Sequence, residues 1–284
     1  MIFFFAAIRW LHEAGLMTLF GGAMLRDLLA ARLPALELPR RTGRLILALI
    51  VTASAVLWLG LATAQMAGDA AAMANPHLLM ITATDTDFGQ WFVVRLTLLL
   101  LLSLGIALKW RNAFLTILSG AALMLIAATG HAAEASPAHF TAIGTITDGL
   151  HLLTGGYWIG GLALLAMLFA RQPKPALLGP AVSIFAEWGM IAVALLVLTG
   201  MLNAATILLG GEGHDTKLYL AVLGAKLLGV AAMIGLALVN HFRLLPGMNG
   251  TAGKLHTNIR LELGLGIVVV GLAALLGLLA PTSM

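Results

Sequence analysis

Two histidines lie inside long apolar segments, where an ionisable side chain is costly and is a candidate for function. His12 is followed directly by Glu13, and Arg9 lies four residues before Glu13, close enough to pair with it on one helix face. Asp148 lies three residues before His151 on the same helix face, and a carboxylate commonly supports the second ring N–H of a metal-bound imidazole. These positions predict a metal site in the membrane. The alternative is a structural hydrogen bond from each ring to a neighbouring helix.

More potential ligands lie near the ends of the apolar segments. His131 and His139 flank the fourth loop, and Met73, His77 and Met80 share the second loop. Thioether sulfur and imidazole nitrogen suit Cu(I), and the absence of cysteine excludes thiolate ligands and disulfides. His131 is therefore a candidate ligand, and the others are candidates for receiving a metal outside the membrane. The alternatives are that methionine fills apolar space and that interfacial histidine faces water.

Polar residues within or beside the apolar segments are predicted to support such a site: Glu13, Arg95, Asp148, Lys226 and Asn240. Arg95 and Lys226 are intramembrane cations that could pair with the two acids or hold an anion. Glu187 and Glu262 are interpreted as acids near helix ends, where they cap or snorkel.

The composition requires a membrane to solvate these elements. Of the 284 residues, 61% are hydrophobic and only 10% are charged, whereas about a quarter of a soluble domain is charged. The apolar runs are long and lack strand-like alternation, so the fold class is all-α. Eight transmembrane helices are predicted at 2–30, 44–67, 88–109, 112–133, 140–170, 180–209, 216–244 and 258–281.

The positive charges set the predicted orientation. Twelve of the sixteen Lys and Arg residues lie in or beside the first, third, fifth and seventh loops, whereas the other loops contain one basic residue, Lys217. Positive loops stay in the cytoplasm, so both termini of this multi-pass protein are predicted to lie outside the cytoplasm. The start of the chain is expected to be a retained helix.

An internal repeat relates the two histidine segments. His12 precedes Gly21-Gly22, and His151 precedes Gly160-Gly161, by nine and ten residues in each case. Arg95 and Lys226 then precede the similar tetrapeptides Gly-Ile-Ala-Leu and Gly-Leu-Ala-Leu. We therefore expect two parallel four-helix halves, 1–137 and 138–284, within one membrane domain. The paired glycines are expected to permit close helix contact.

Several functional classes are excluded by the sequence pattern. No phosphate-binding loop, zinc-protease, serine-hydrolase or dinucleotide-binding motif occurs in a suitable setting. We therefore expect neither an enzyme nor a nucleic-acid-binding protein.

The sequence resembles the CopD/PcoD family of bacterial inner-membrane copper resistance and copper transport proteins. The resemblance rests on His12-Glu-Ala-Gly-Leu-Met-Thr-Leu-Phe-Gly-Gly, Gly130-His131-Ala and His151-Leu-Leu-Thr-Gly-Gly-Tyr-Trp-Ile-Gly-Gly-Leu. It continues through Thr199-Gly-Met-Leu-Asn203-Ala, Tyr219 to Lys226, and Asn240 with Pro246. It implies copper handling by His12, His131 and His151, recurrent polar positions at Lys226 and Asn240, and a CopC-like periplasmic copper chaperone as a separate partner. It also implies that the membrane is the bacterial inner membrane, which would make both termini periplasmic.

The favoured hypothesis is a copper-binding protein that moves Cu(I) or Cu(II) between periplasm and cytoplasm, with import as the expected direction. The histidine site would lie in the outer half of the bundle. The alternative is a b-type haem protein that transfers electrons and uses the same histidines as axial ligands. A third hypothesis is a membrane scaffold or sensor without transport.

Overall fold

The computed structural model describes residues 2–128, 138–171, 175–209 and 216–279, and every secondary-structure element in these ranges is helical. Because hydrocarbon offers no hydrogen-bond partners, a membrane chain satisfies its backbone groups within helices. The predicted all-α class is confirmed. The α-helices are α1 (Ile2–Arg32), α2 (Arg41–Ala67), α3 (Pro76–Asp85), α4 (Asp87–Ala107), α5 (Asn112–Ala128), α6 (Ala138–Arg171), α7 (Pro175–Leu209), α8 (Thr216–Val239) and α9 (Met248–Leu279).

Seven of these helices are long and apolar enough to cross a membrane: α1, α2, α4, α6, α7, α8 and α9. The shortest, α4, has 21 residues and is about 30 Å long at about 1.5 Å per residue, the thickness of the hydrocarbon core. Large side chains such as Ile117 and Leu228 are exposed, as lipid-facing residues are. The chain is therefore a multi-pass membrane protein. Helix α5 has 17 residues and ends at Ala128, the end of a described range, so the eighth crossing and the orientation of the termini stay predictions.

The second predicted loop is largely helical, which corrects the sequence interpretation. A 3₁₀ turn (Ala70–Ala74) begins at Asp69, whose side chain accepts from the Ala71 amide, and α3 begins at Asn75. The Asn75 side chain accepts from the amides of His77 and Leu78. Asp and Asn caps, and proline at the first helical position, favour a helix start in polar as well as apolar sequence. A hydropathy pattern does not detect a helix start of this kind.

Two predicted helix starts are also wrong. Helix α9 begins at Met248, ten residues before the predicted start, and α7 begins at Pro175 and contains Pro180. The first turns of α9 contain polar residues such as Lys254 and His256. Apolar runs mark where hydrocarbon begins, whereas the backbone hydrogen bonds of a helix continue beyond it.

The centre of the bundle is a close contact between α1 and α6. A Cβ atom on Gly21 would overlap the Gly156 carbonyl, and one on Gly160 would lie 2.7 Å from the Gly21 Cα. Small residues let membrane helices approach to backbone contact, so the predicted role of these glycines is confirmed. Helix α2 packs against α1 and α4, α7 packs against α6, and α9 packs against α1, α6 and α8.

Candidate metal centre

His12 is fully buried between α1 and α2. Its Nδ1 atom lies 3.1 Å from the Val51 carbonyl oxygen and 3.1 Å from the Ser54 hydroxyl oxygen. A carbonyl oxygen can only accept a hydrogen bond, so Nδ1 carries the hydrogen and Nε2 carries the free lone pair. Nε2 is buried and has no hydrogen-bond partner within the described ranges. A buried unsatisfied acceptor is costly, and it is the form of imidazole that coordinates a metal ion.

Aromatic rings surround His12. The edge of Trp58 meets the imidazole at a centroid distance of 5.4 Å, and Phe92 meets Trp58 at 6.1 Å. The fully buried Arg95 lies over both of these rings, 4.6 Å from the Trp58 centroid and 4.4 Å from the Phe92 centroid. Such cation–π contacts stabilise a guanidinium away from water. His12 is therefore surrounded by apolar aromatic rings, and the positively charged Arg95 guanidinium lies over these rings.

The predicted pair on α1 is confirmed. Arg9 Nε donates to Glu13 Oε1 at 2.8 Å, and Arg9 Nη1 donates to the Gly277 carbonyl of α9 at 3.2 Å. Glu13 is buried and lies within electrostatic range of both Arg95 and Lys226. One carboxylate thus offsets part of the positive charge near His12.

His151 repeats the arrangement of His12 in the second half of the chain. Its Nδ1 atom lies 3.0 Å from the Thr199 hydroxyl oxygen of α7. Thr199 donates its own hydrogen to the Leu195 carbonyl at 2.7 Å, so the imidazole Nδ1 is the donor. Ser54 likewise donates to the Val51 carbonyl, at 2.8 Å. Each histidine is thus oriented by a hydroxyl on the following membrane-spanning helix, and in this tautomer the ring lone pair lies on Nε2.

The sequence predicts that the Asp148 carboxylate supports the His151 ring, but the structure describes other hydrogen-bond partners for the two side chains. Asp148 accepts from Asn203 Nδ2 at 3.2 Å, while the described partner of the His151 ring is Thr199. Lys226 lies within electrostatic range of Asp148. Asp148 and Lys226 are therefore opposite charges that attract each other at longer range than an ion-pair contact.

Asn240 belongs to a different cluster. Its Nδ2 atom donates to Glu262 Oε2 at 3.0 Å, and Trp158 Nε1 donates to Glu262 Oε1 at 2.6 Å. Glu262 is buried, so its interpretation as a snorkelling or capping acid is wrong. Glu187, in contrast, is exposed and pairs with Arg32.

The candidate access residues lie on the short helices after α2. Met73 is in the 3₁₀ turn, and His77 and Met80 are on α3, all with exposed side chains. His131 lies outside the described residues, and the side chain of His139, in the first turn of α6, is not described either. Within the described ranges, no three His, Asp or Glu residues are grouped as a metal site would require.

The orienting hydroxyls of Ser54 and Thr199 were not identified from the sequence. Serine and threonine are common in membrane helices, where most of them bond to their own backbone. The available signals were their placement on the second predicted helix of each half and, for Thr199, its position in the motif Thr199-Gly-Met-Leu-Asn203-Ala.

The sequence matches two family models. Residues 1–139 match "Copper resistance protein D-like, N-terminal domain", and residues 179–276 match "Copper resistance protein D".

Three relatives cover most of the chain. Copper resistance protein D of Pseudomonas syringae pv. tomato is 32% identical over 97% of this chain and 96% of its own. Copper transport protein CutJ of Bacillus subtilis (strain 168) is 26% identical over 91% of this chain and 49% of its own. Inner membrane protein YebZ of Escherichia coli (strain K12) is 26% identical over 99% of both chains. No solved structure matches.

Proposed function

Because the chain belongs to the copper resistance protein D family, we propose that it binds copper and carries it across the bacterial inner membrane into the cytoplasm. Copper is the cargo, and the protein acts as a permease without catalysing a reaction. The names of two relatives support copper handling, and the name of a third supports the inner membrane.

The observation that carries this proposal is the lone pair of His12 Nε2. The ring is held from Nδ1, its other nitrogen is buried, and the described residues offer that nitrogen no hydrogen. Hydrogen-bonded support at Nδ1 is what orients a metal-ligating imidazole. His151, held by Thr199, is proposed as the equivalent ligand in the second half. His131 is proposed as a third ligand from its position in the family pattern.

The proposed route begins at the outer short helices. Met73, His77 and Met80 are exposed and offer soft sulfur and nitrogen donors. The 3₁₀ turn that contains Met73 packs directly on α2, because a Cβ on Gly60 would lie 3.2 Å from the Met73 carbonyl oxygen. Gly60 is two residues beyond Trp58, which touches His12. Copper received at this surface, from a CopC-like chaperone or through His139, would thus reach the helix α2 that also contacts His12.

Nitrogen ligands without thiolate suit transfer, because a carried ion must bind tightly enough to enter and weakly enough to leave. Arg95 and Arg9 near Trp58 add repulsion that further limits affinity for a cation. Import is proposed because acids lie in the predicted outer loops and would raise the local concentration of cations. These acids are Asp69, Asp85, Asp87, Glu134, Glu212 and Asp215.

Cellular copper accumulation tests the proposal. We expect cells that express the protein to accumulate more copper than cells with an empty vector, as measured by elemental mass spectrometry. His12→Ala and His151→Ala are expected to abolish the difference. His256→Ala is the matched control, because that ring stacks on Phe169.

Three results would overturn the proposal in different ways. Unchanged accumulation in both histidine variants would refute the histidine site. Lower copper than in the empty-vector cells would refute import. A strong Soret band in the purified protein would favour the haem alternative.

A further inference from the structure

Glu262 is a buried acid that the proposed copper route does not use. It lies fourteen residues into α9, and its side chain is 2% exposed. Trp158 of α6 donates to one carboxyl oxygen, Oε1, at 2.6 Å, and Asn240 donates to the other, Oε2, at 3.0 Å. A carboxyl group with two donors from two other elements is positioned by the fold.

The hydrogen-bond partners of Glu262 are neutral. Burying a carboxylate without a cation costs several kcal/mol, and the salt bridges among the described residues, Arg9–Glu13 and Arg32–Glu187, do not include Glu262. Two donors to the charged form offset part of this cost. The two donors therefore stabilise the charged form of Glu262, whereas burial beside neutral partners stabilises the protonated form.

Asn240 can serve either form of Glu262. It is 7% exposed, and its Oδ1 atom is buried without a hydrogen-bond partner within the described ranges. With Nδ2 facing Glu262, the amide donates to a carboxylate. After a half-turn of the amide, Oδ1 can accept a hydrogen from a protonated Oε2. Trp158 can only donate, so it fixes Oε1 as the acceptor in both states.

The titratable groups on the elements packed against Glu262 have no described hydrogen bond or ion pair with it. Tyr157 donates to the Phe185 carbonyl, and His256 stacks on Phe169. The groups with described side chains on α1, α6, α8, the π-helical segment and α9 are Arg9, His12, Glu13, Arg26, Asp27, Arg32, Asp148, His151, Tyr157, Arg171, Lys217, Tyr219, Lys226, His241, Arg243, Lys254, His256 and Arg260.

An open cleft borders this cluster. It has a volume of about 610 Å³, and its lining includes Val239, Lys254 and Asn258. Val239 directly precedes Asn240, and Asn258 lies one turn before Glu262 on α9. Asn240 also begins a π-helical segment (Asn240–Leu244), and such segments often occur at functional sites. The residues that line the cleft thus lie next to Asn240 in sequence and one helical turn from Glu262 on α9.

We propose that Glu262 is a proton-binding site of the membrane domain, which exchanges a proton between Oε2 and water in this cleft, with Asn240 turning to follow the protonation state. The proton leaves with its bond electrons remaining on Oε2, and water accepts it. The ligands are oxygens only and do not suit Cu(I). A bound Mg²⁺ or Ca²⁺ ion would need about six or more oxygen ligands.

Infrared titration of the copper-free protein tests this proposal independently of copper transport. We expect a carbonyl band of a protonated carboxylic acid that disappears as the pH is raised. The band should be absent in Glu262→Gln and retained in Glu187→Gln, the exposed control acid. A spectrum without any band that depends on Glu262 would overturn the proposal.

Trp158→Phe keeps the carboxyl group and provides a second test if Glu262→Gln fails to fold. Loss of this donor changes the hydrogen bonding of Oε1, so the midpoint of the band should differ from that of the wild type. An unchanged midpoint would contradict the proposed bond between Trp158 and the exchanging carboxyl group.

Discussion

The Nδ1 atom of His12 lies 3.1 Å from the hydroxyl oxygen of Ser54, and this hydroxyl gives its own hydrogen to the Val51 carbonyl. The imidazole is thereby fixed as the tautomer with a lone pair on Nε2. His151 and Thr199 repeat the arrangement in the second half of the chain. Two hydroxyls, which carry no charge and bind no copper themselves, thus orient the two proposed ligands.

Ser54→Ala should weaken copper binding without removing a ligand. The Val51 carbonyl still accepts from Nδ1–H in this variant, so we expect copper affinity to fall by about tenfold, the lower end of the range for loss of a residue that supports a metal-bound histidine. Competition with a chromophoric Cu(I) chelator measures the change. Ser119→Ala is the matched control, since Ser119 is fully buried but bonds only to backbone of its own helix. Equal affinities in the two variants would show that Ser54 has no orienting role.

Thr199→Val tests the equivalent bond to His151. Valine keeps the shape of threonine and removes the acceptor for Nδ1–H, so copper affinity should fall by about tenfold or more. Thr63→Val is the control, because Thr63 is buried and donates only to the Leu59 carbonyl of α2. If the two valine variants bind copper equally, the two halves do not handle copper in the same way.

Gly21→Ala should destabilise the bundle. A Cβ atom there would overlap the Gly156 carbonyl, which is backbone and cannot turn aside, and overpacking of this kind costs about 1–3 kcal/mol or more. Thermal unfolding in detergent measures the loss. Gly224→Ala, where nothing lies within 4 Å of an added Cβ, should be neutral or slightly stabilising. Similar melting temperatures for the two variants would contradict the close α1–α6 contact.

Glu13→Gln should be far more destabilising than Glu187→Gln. Removing Glu13 leaves the Arg9 guanidinium without its carboxylate in a largely buried place, which costs about 3 kcal/mol. The pair of Glu187 with Arg32 is exposed at both side chains, and such pairs contribute less than about 1 kcal/mol. Free energies of unfolding in mixed micelles would distinguish the two variants. Equal losses of stability would contradict the larger contribution expected from the buried pair.

Features that depend on local chemistry could be predicted from the sequence. The long apolar runs required helices, because hydrocarbon leaves no other way to satisfy the backbone. The Arg9–Glu13 pair followed from its spacing of four residues, and contact at Gly21 and Gly160 followed from residue size. Each of these features depends on residues close together in sequence or on the surrounding lipid, so it can be predicted without knowing how the helices are arranged.

Features that depend on helix rotation could not be predicted. Ser54 and Thr199 meet histidines 42 and 48 residues away, and nothing in their local sequence separates them from other hydroxyls. Glu262 was misplaced because the start of α9 was set at the edge of the apolar run. With the helix beginning at Met248, Glu262 lies in the buried interior and meets Trp158.

The most direct test of the central claim is the Cu(I) affinity of the purified, detergent-solubilised protein, measured by chelator competition. We predict that His12→Ala and His151→Ala each weaken Cu(I) binding by at least about tenfold. The double variant should lose specific binding, and His256→Ala should bind Cu(I) as the wild type does. Wild-type affinity in the double variant would contradict this prediction.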